Sequence, residues 1–413
     1  MGSRSPKGRR QSAVTMADVA RRAGVSVKTV SNVVNGYPHI RPSTRARVEE
    51  AVRALDYRLN LSARMLRTRR TGLITLAVPE LSMPYFAELA DAVIRAADEY
   101  GLTVLIEQTS GRRDRELAVL AGARRTLTDG VLFSPLVLGP KDREAFSVDF
   151  PMVLLGERIF GVPTDHVTMN NVAGARVATE HLLGLGRRRI AVLGADLAAT
   201  DAPTSATLRL GGYAEALAAA GLDLDPDLVV PARQWHRFDG AQALGAALDR
   251  GVQVDGVFAL NDALALGGLY ALHARGLEVP TQVALIGFDD VEDVRFATPT
   301  ISSVAPGRDE IARTAVRLLT ERIEPATAER PFVRVVTDAR VLARQSTGEP
   351  GEREVSVLPG RTSRLTPAAD LPDRHLSTDW TSEDRKFSTA TAHRSSDAQS
   401  ATTGQPTSSR HRA

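Results

Sequence analysis

No cysteine occurs in the 413 residues. That absence removes a disulfide scaffold, a thiolate zinc site and a cysteine nucleophile together, and it fits a reducing compartment. Long apolar runs are missing as well. Nothing approaches the roughly 20 residues that cross a bilayer, and the basic N-terminus leads into polar residues instead of an apolar signal core. The sequence therefore predicts a cytoplasmic chain without membrane contact. Chemistry-bearing clusters are also lacking. His166, His181, His236 and His273 are scattered, and Gly184-Leu185-Gly186 precedes a strand instead of following one, so it is no dinucleotide loop. No catalytic residue, metal site or cofactor is expected. Asp289-Asp290 reads as a pair of turn or hydrogen-bonding groups.

What is present suits a soluble globular protein: 43% hydrophobic and 24% charged residues, enough for a sizeable core. The length suits two or three domains. Net charge is only +3, but it is unevenly spread. The first seventy residues carry an excess of about a dozen positive charges, from Arg4 through Arg70 against Asp18, Glu49, Glu50 and Asp56. Such asymmetry points to a polyanionic partner or to a solvated basic tail.

Residues 1–13 read as a disordered basic arm and residues 14–58 as short helices. In Thr15-Met16-Ala17-Asp18 the spacing predicts a capping box, with Val19, Ala20 and Ala23 on the inner face and Gly24 ending the helix. Ser26 caps a second helix with Val30, Val33 and Val34 inward, stopped at Asn35-Gly36. Pro42 opens a third, with Val48, Ala51, Val52 and Leu55 inward. Two short helices joined by a glycine turn form a helix-turn-helix, whose second helix can enter the major groove. Its outward residues are Val27, Lys28, Thr29, Ser31 and Asn32. Val27, Lys28 and Asn32 are the candidates for base contacts, by thymine methyl contact or hydrogen bonding. Thr29, Ser31 and Asn35 are short donors suited to phosphate. A three-helix packing module without DNA is the alternative.

Residues 71–346 alternate strand-like and helical runs: strand 73–78, helix 85–100, strand 102–107, helix 112–127, strands 130–134 and 152–155. The pattern resumes with helix 172–185, strand 189–194, helix 207–220, strand 227–231, helix 238–250, strand 254–260, helix 262–275 and strand 282–287. That alternation predicts parallel sheets covered on both faces, too long for one sheet and so divided into two lobes. Ligands in such folds lie beyond the carboxyl ends of the strands. Residues 347–413 are rich in Ser, Thr, Pro, Arg and Asp and read as a disordered tail.

The segment Thr15-Met16-Ala17-Asp18-Val19-Ala20, through Ala23-Gly24-Val25-Ser26, Thr29-Val30-Ser31 and Val33-Val34-Asn35-Gly36, resembles the DNA-binding head of the lactose-repressor/galactose-repressor (LacI/GalR) family. The likeness continues through Thr44-Arg45, Val48, Leu55-Asp56-Tyr57 and Asn60 and on to Ser346-Thr347, about four-fifths of the chain. The resemblance implies an all-α head joined to an α/β, two-lobed domain like the periplasmic binding proteins. It adds Thr15, Ser26 and Tyr57 to the backbone contacts. Residues 59–70 become a hinge helix or linker, with Asn60, Ala63 and Leu66 in the minor groove and Leu66 wedging between base pairs.

By the same resemblance Arg209 and Asp289 hydrogen-bond a ligand, Asn261 assists, Trp235 stacks on an apolar ring face, and Phe86 with Tyr85 lines the mouth. Helix capping for Asn261 and Asp289, an ion pair for Arg209 and packing for Trp235 are the structural alternatives. Many family members place an aspartate near residue 155, where this chain has Gly156-Glu157-Arg158; either Glu157 or Arg158 fills that role. The expected function is a transcriptional regulator, a repressor, controlled by a small-molecule effector of carbohydrate type. A homodimer on a near-palindromic double-stranded operator is expected, with no leucine-heptad segment for a tetramer. An exported solute-binding protein, or a sugar or nucleotide enzyme on the same fold, is the rival reading.

Overall fold

Helix α1 (Met16–Ala23) begins where the Thr15 hydroxyl accepts the Asp18 N–H at 3.4 Å and the Asp18 carboxylate accepts the Thr15 N–H at 2.9 Å. This is the reciprocal capping that the spacing predicts. It ends at Gly24, where the chain turns through φ +63°. The computed structural model describes residues 14–34, 37–57, 70–123, 126–198 and 203–364. In it α2 (Val27–Val34) and α3 (Pro42–Ala54) complete the head. The Ser26 hydroxyl accepts the Thr29 N–H at 3.1 Å and so caps α2. Val19, Val30, Val48, Ala51 and Tyr57 bury a small core, while Val34, Val52 and Leu55 lie at its margin.

The larger part starts with β1 (Leu73–Val78), α4 (Pro84–Asp98), β2 (Thr103–Gln108), α5 (Arg113–Leu120), β3 (Gly130–Phe133), β4 (Met152–Leu155) and β5 (Asp165–Thr168). Then follow α6 (Asn171–Gly184), β6 (Ile190–Leu193), α7 (Ser205–Ala219), β7 (Val229–Val230), α8 (Arg237–Asp249), β8 (Gly256–Ala259), α9 (Asp262–His273), β9 (Ala284–Phe288) and β10 (Ser302–Ala305). The chain closes with α10 (Arg308–Ile323), β11 (Val333–Val336), β12 (Ala339–Ala343), β13 (Arg353–Leu358) and β14 (Arg361–Arg364). Strands β3, β4, β6 and β8 are buried at every position, as strands with helices on both faces must be.

Two seven-stranded sheets result, ordered β14-β11-β5-β4-β3-β1-β2 and β13-β12-β10-β9-β8-β6-β7. Each forms one lobe. The chain crosses between lobes after β5, after β10, between β11 and β12, and between β13 and β14.

Five expectations need correction. The sheets are parallel only in their interior, because β12, β13 and β14 pair antiparallel. Strand β5 was not foreseen: its Asp-His-Val-Thr sequence is polar, yet it is fully buried. Asp165 there is 0% exposed and receives Arg322 Nε at 2.8 Å, two Arg330 bonds at 2.9 Å and the Val333 N–H at 2.9 Å. The helix expected over 112–127 stops at Leu120, and strand 227–231 shortens to a 3₁₀ turn (Pro226–Leu228) plus β7. The tail expected from residue 347 is ordered to Arg364, because Arg353–Leu358 and Arg361–Arg364 find unpaired strand edges to bond.

Glycine sets the closest helix contacts of the second lobe. A Cβ at Gly212 of α7 would lie 2.0 Å from the Val172 carbonyl of α6, and one at Gly267 of α9 would lie 2.0 Å from the Arg237 carbonyl of α8. Only a bare backbone lets these helix pairs touch.

Candidate effector cleft and nucleic-acid interface

On the head, α2 presents Val27, 47% exposed, and Lys28, also exposed; Asn32 one turn on is half-buried. All three lie on the helix that sequence reasoning assigned to the groove. Thr15 and Ser26 are exposed at the starts of α1 and α2, and the Ser26 and Thr29 hydroxyls are 2.8 Å apart. Two backbone candidates differ from expectation. Ser31 is 5% exposed, not outward, because it borders Val30 and Val34 on the packed side of a helix wedged between α1 and α3. Tyr57 is 8% exposed and belongs to the head core. Asn35, Asn60, Ala63 and Leu66 lie outside the described residues.

The cleft groups come from the carboxyl ends of strands in both lobes. Arg209, near the start of α7, is 2% exposed. The Thr204 hydroxyl accepts the Thr207 N–H at 3.0 Å and fixes where that helix begins. The Arg209 guanidinium lies 3.6 Å above the Phe288 ring centroid and 5.7 Å from that of Trp235. Its Nε donates to Asn171 Oδ1 at 2.8 Å, its Nη1 donates to the Leu260 carbonyl, and its Nη2 stands 3.7 Å from Asp289 Oδ1.

Burial raises the Asp289 carboxyl to about 7, against the opposing pull of Arg209 and Arg308. Burial likewise lowers Arg209 from the usual arginine range. Asp262 is raised well above the carboxylate range by burial and by Asp289, although it accepts the Ser303 hydroxyl at 2.7 Å and the Val291 N–H at 2.9 Å.

Asp289 and Asp290 both have positive φ, +111° and +49°. For residues with a Cβ such conformations cost about 1–3 kcal/mol each and persist only where surroundings hold them. Here Arg344 Nη2 grips Asp290 Oδ1 at 2.5 Å, Arg295 grips Oδ2 at 2.9 Å, and the Asp290 N–H donates to Ser303 at 3.1 Å. The strain sits in the loop that delivers Asp289.

Asn261 has both side-chain groups engaged: Oδ1 accepts the Leu264 N–H at 2.8 Å and Nδ2 donates to the Trp235 carbonyl at 3.1 Å. It joins the site by holding the loop of Trp235, whose indole N–H donates to Gly194 at 3.1 Å. Phe86 and Tyr85 stand edge to face at 5.3 Å and are partly buried; burial raises the Tyr85 phenol. Of the two alternatives after β4, Glu157 is the one beside Arg209. Asn171 Nδ2 donates to it at 3.3 Å and the Ser205 hydroxyl also donates to it. Arg158 turns to the Pro203 carbonyl at 3.4 Å, and its buried Nε has no hydrogen-bond partner among the described residues.

Sequence reasoning missed Asn171, Phe288 and Arg308. The signal for Asn171 was the Asn170-Asn171 pair at a strand-to-helix junction, hidden while β5 went unrecognised. Arg308 ties the lobes: it contacts Glu88 at 2.8 Å and donates to the carbonyls of Asp289 and Asp290 at 3.4 and 3.3 Å. Glu88 accepts the Glu292 N–H at 2.9 Å, and His236 Nε2 lies 3.4 Å from Glu80 across the mouth. A separate cavity of about 580 Å³ opens at the base of the first lobe, lined by Arg70, Thr71, Thr128, Asp129 and Ile323. It lies at the amino ends of the strands, away from the buried charges between the lobes.

Residues 15–60 match the family described as "Bacterial regulatory proteins, lacI family", and residues 179–347 match "Periplasmic binding protein-like domain". The HTH-type transcriptional regulator CelR of Thermobifida fusca is 36% identical over 343 residues, 80% of this chain and 98% of that one. The chain belongs to the lacI family of bacterial regulatory proteins. A solved lacI-family regulator from Sanguibacter keddieii is 52% identical with a TM-score of 0.62, covering 68% of this chain and 100% of that one. The lac repressor dimer bound to operator and the anti-inducer ONPF is 25% identical with a TM-score of 0.66, covering 81% and 99%. A CelR–cellobiose complex is 31% identical with a TM-score of 0.59, covering 81% and 99%. As a lacI-family member the chain is a DNA-binding transcriptional regulator and not an enzyme. Among the described residues no helix is long and apolar enough to cross a membrane.

Proposed function

We propose that the protein is a cytoplasmic repressor whose operator affinity is set by a neutral sugar held between the lobes. The observation that carries this is the buried pair Arg209–Asp289, 3.7 Å apart and stacked on Phe288. Paired opposite charges offer donors and acceptors without net charge, which matches a ligand rich in hydroxyls. Glu157, Asn171 and the Nε of Arg158, unpartnered among the described residues, extend that polar set, and the Trp235 face suits the apolar side of a sugar ring. CelR, which has been solved with cellobiose, supports the ligand class.

In this reading Val27, Lys28 and Asn32 meet bases, Thr15, Ser26, Thr29 and Asn35 meet backbone, and residues 59–70 with Asn60, Ala63 and Leu66 form the connector in the minor groove. A homodimer on a near-palindromic operator places two heads, as in the operator-bound lac repressor dimer. Ile94, Leu105 and Ile106 on the first lobe and Tyr270 on the second are exposed apolar groups of the kind a second copy covers. Ligand occupancy changes the lobe arrangement and hence the connector, a coupling typically worth about 1–3 kcal/mol.

Calorimetric titration with cellobiose and a panel of neutral sugars and sugar acids, followed by operator binding with each ligand, tests this reading. A neutral sugar should bind, lose at least about tenfold in Asp289→Asn, and shift operator affinity. Binding confined to sugar acids, or a sugar that leaves operator affinity unmoved, overturns it.

A further inference from the structure

The family match ends at residue 347, yet ordered structure continues to Arg364. Residues in this extension close both lobes. Strand β13 pairs antiparallel with β12, from Ala339↔Leu358 to Ala343↔Arg353, and completes the edge of the second sheet. Strand β14 pairs antiparallel with β11, from Val333↔Arg364 to Val336↔Arg361, and completes the edge of the first. Only Pro359 and Gly360 separate them, so the extension passes between lobes in two residues.

That passage lies directly on the crossing between β11 and β12. The Gly360 N–H donates to Asp338 Oδ1 at 2.6 Å, and a Cβ at Gly360 would fall 2.4 Å from the Val336 carbonyl. At its start the extension is anchored by Glu352, which accepts Arg344 Nε at 2.8 Å and Nη2 at 2.5 Å. Arg344 is 2% exposed and the same Nη2 holds Asp290, beside the cleft.

Opening two lobes by hinge motion needs φ/ψ change at every crossing. The β11–β12 crossing, Thr337 and Asp338, is as short as the β13–β14 crossing and runs between the same ladders. Side by side and joined by the Gly360–Asp338 bond, the two cannot twist far without breaking a ladder or that bond. We propose that residues 349–364 form a strap that limits how far the two lobes open.

The absence of cysteine makes the test direct. Spin labels on Leu81→Cys and Gln234→Cys, beside Glu80 and His236 on opposite sides of the mouth, report lobe separation without added ligand. The result therefore does not depend on what occupies the cleft, and failure here leaves the sugar reading untouched. The full chain, and a chain ending at Arg364, should each give one narrow distance. A chain ending at Gly351 should add a longer one. Gly360→Val, which keeps the chain length but drives a side chain into the Val336 carbonyl, should do the same. It should also speed exchange of the Thr337 amide, which donates to Thr168 at 3.0 Å, by at least about tenfold. This second variant decides the matter if the shortened chain does not fold. A single unchanged distance in Gly360→Val, or equal widening in the chain ending at Arg364, overturns the proposal.

Discussion

The guanidinium of Arg209 lies over the ring of Phe288, 3.6 Å from its centroid. Phe288 ends β9, and Asp289 follows it, so one strand end supplies both the platform and the counter-charge. A planar cation held this way offers its remaining N–H groups in a fixed direction, which a lysine ammonium cannot reproduce. Arg209→Lys should therefore keep the charge yet lose at least about tenfold in sugar affinity, as read by calorimetry. Arg209→Ala should also destabilise the fold, since Asn171 and the buried Leu260 carbonyl lose their donor. Equal affinity in Arg209→Lys and the parent would show that the fork is not used.

Asp289 makes stability depend on pH. Its folded carboxyl, near 7, is above the ordinary value of 3.8, so the folded state holds a proton that the unfolded state releases between those limits. The stabilisation is complete below about pH 4, declines as pH rises to about 7, and is flat beyond. Asp289→Asn, which cannot ionise, should reduce that limb in urea midpoints measured from pH 4 to 8, leaving the part carried by Asp262, whose carboxyl burial also raises. A slope undiminished by the substitution would place the titrating group elsewhere.

Asp165 is the structural counterpart of that site. It is wholly buried beneath Arg322 and Arg330 and joins β5 to the end of α10. Asp165→Ala leaves the buried Arg322 without a carboxylate and Arg330 with Glu321 alone, and should cost about 3–5 kcal/mol in urea unfolding. Sugar affinity per folded molecule should hold, because the group lies at the other end of its strand from the cleft.

On the head, Lys28→Ala should cost about 1–3 kcal/mol at one operator base pair while leaving other positions discriminated. Anisotropy titrations on single-base operator variants would read this. Leu66→Ala should reduce operator bending in a circular-permutation gel shift. Uniform weakening across every sequence in Lys28→Ala would assign that side chain to phosphate instead.

Elements whose signal is local were legible beforehand. The Thr15–Asp18 box, the Gly24 stop and the continuous apolar strands each carry their cause in neighbouring residues. The cleft was legible in Arg209, Asp289 and Trp235. Elements fixed by distant partners were not. Strand β5 reads as polar because its Asp165 is neutralised by arginines more than 150 residues away. Strand β14 is exposed at all four positions and exists because β11 offers an unpaired edge. Ser31 shows the limit of helical periodicity, which cannot say how wide a neighbour's shadow is.

The two glycine contacts, Gly212 of α7 against α6 and Gly267 of α9 against α8, bear on how this molecule can respond at all. Where main chain rests on main chain there is no side chain to swing aside, so neither helix pair can slide along its partner. The second lobe must then pivot as one solid piece. Whatever a guest in the cleft accomplishes is delivered as a change of tilt, concentrated in the few residues where the backbone passes from lobe to lobe.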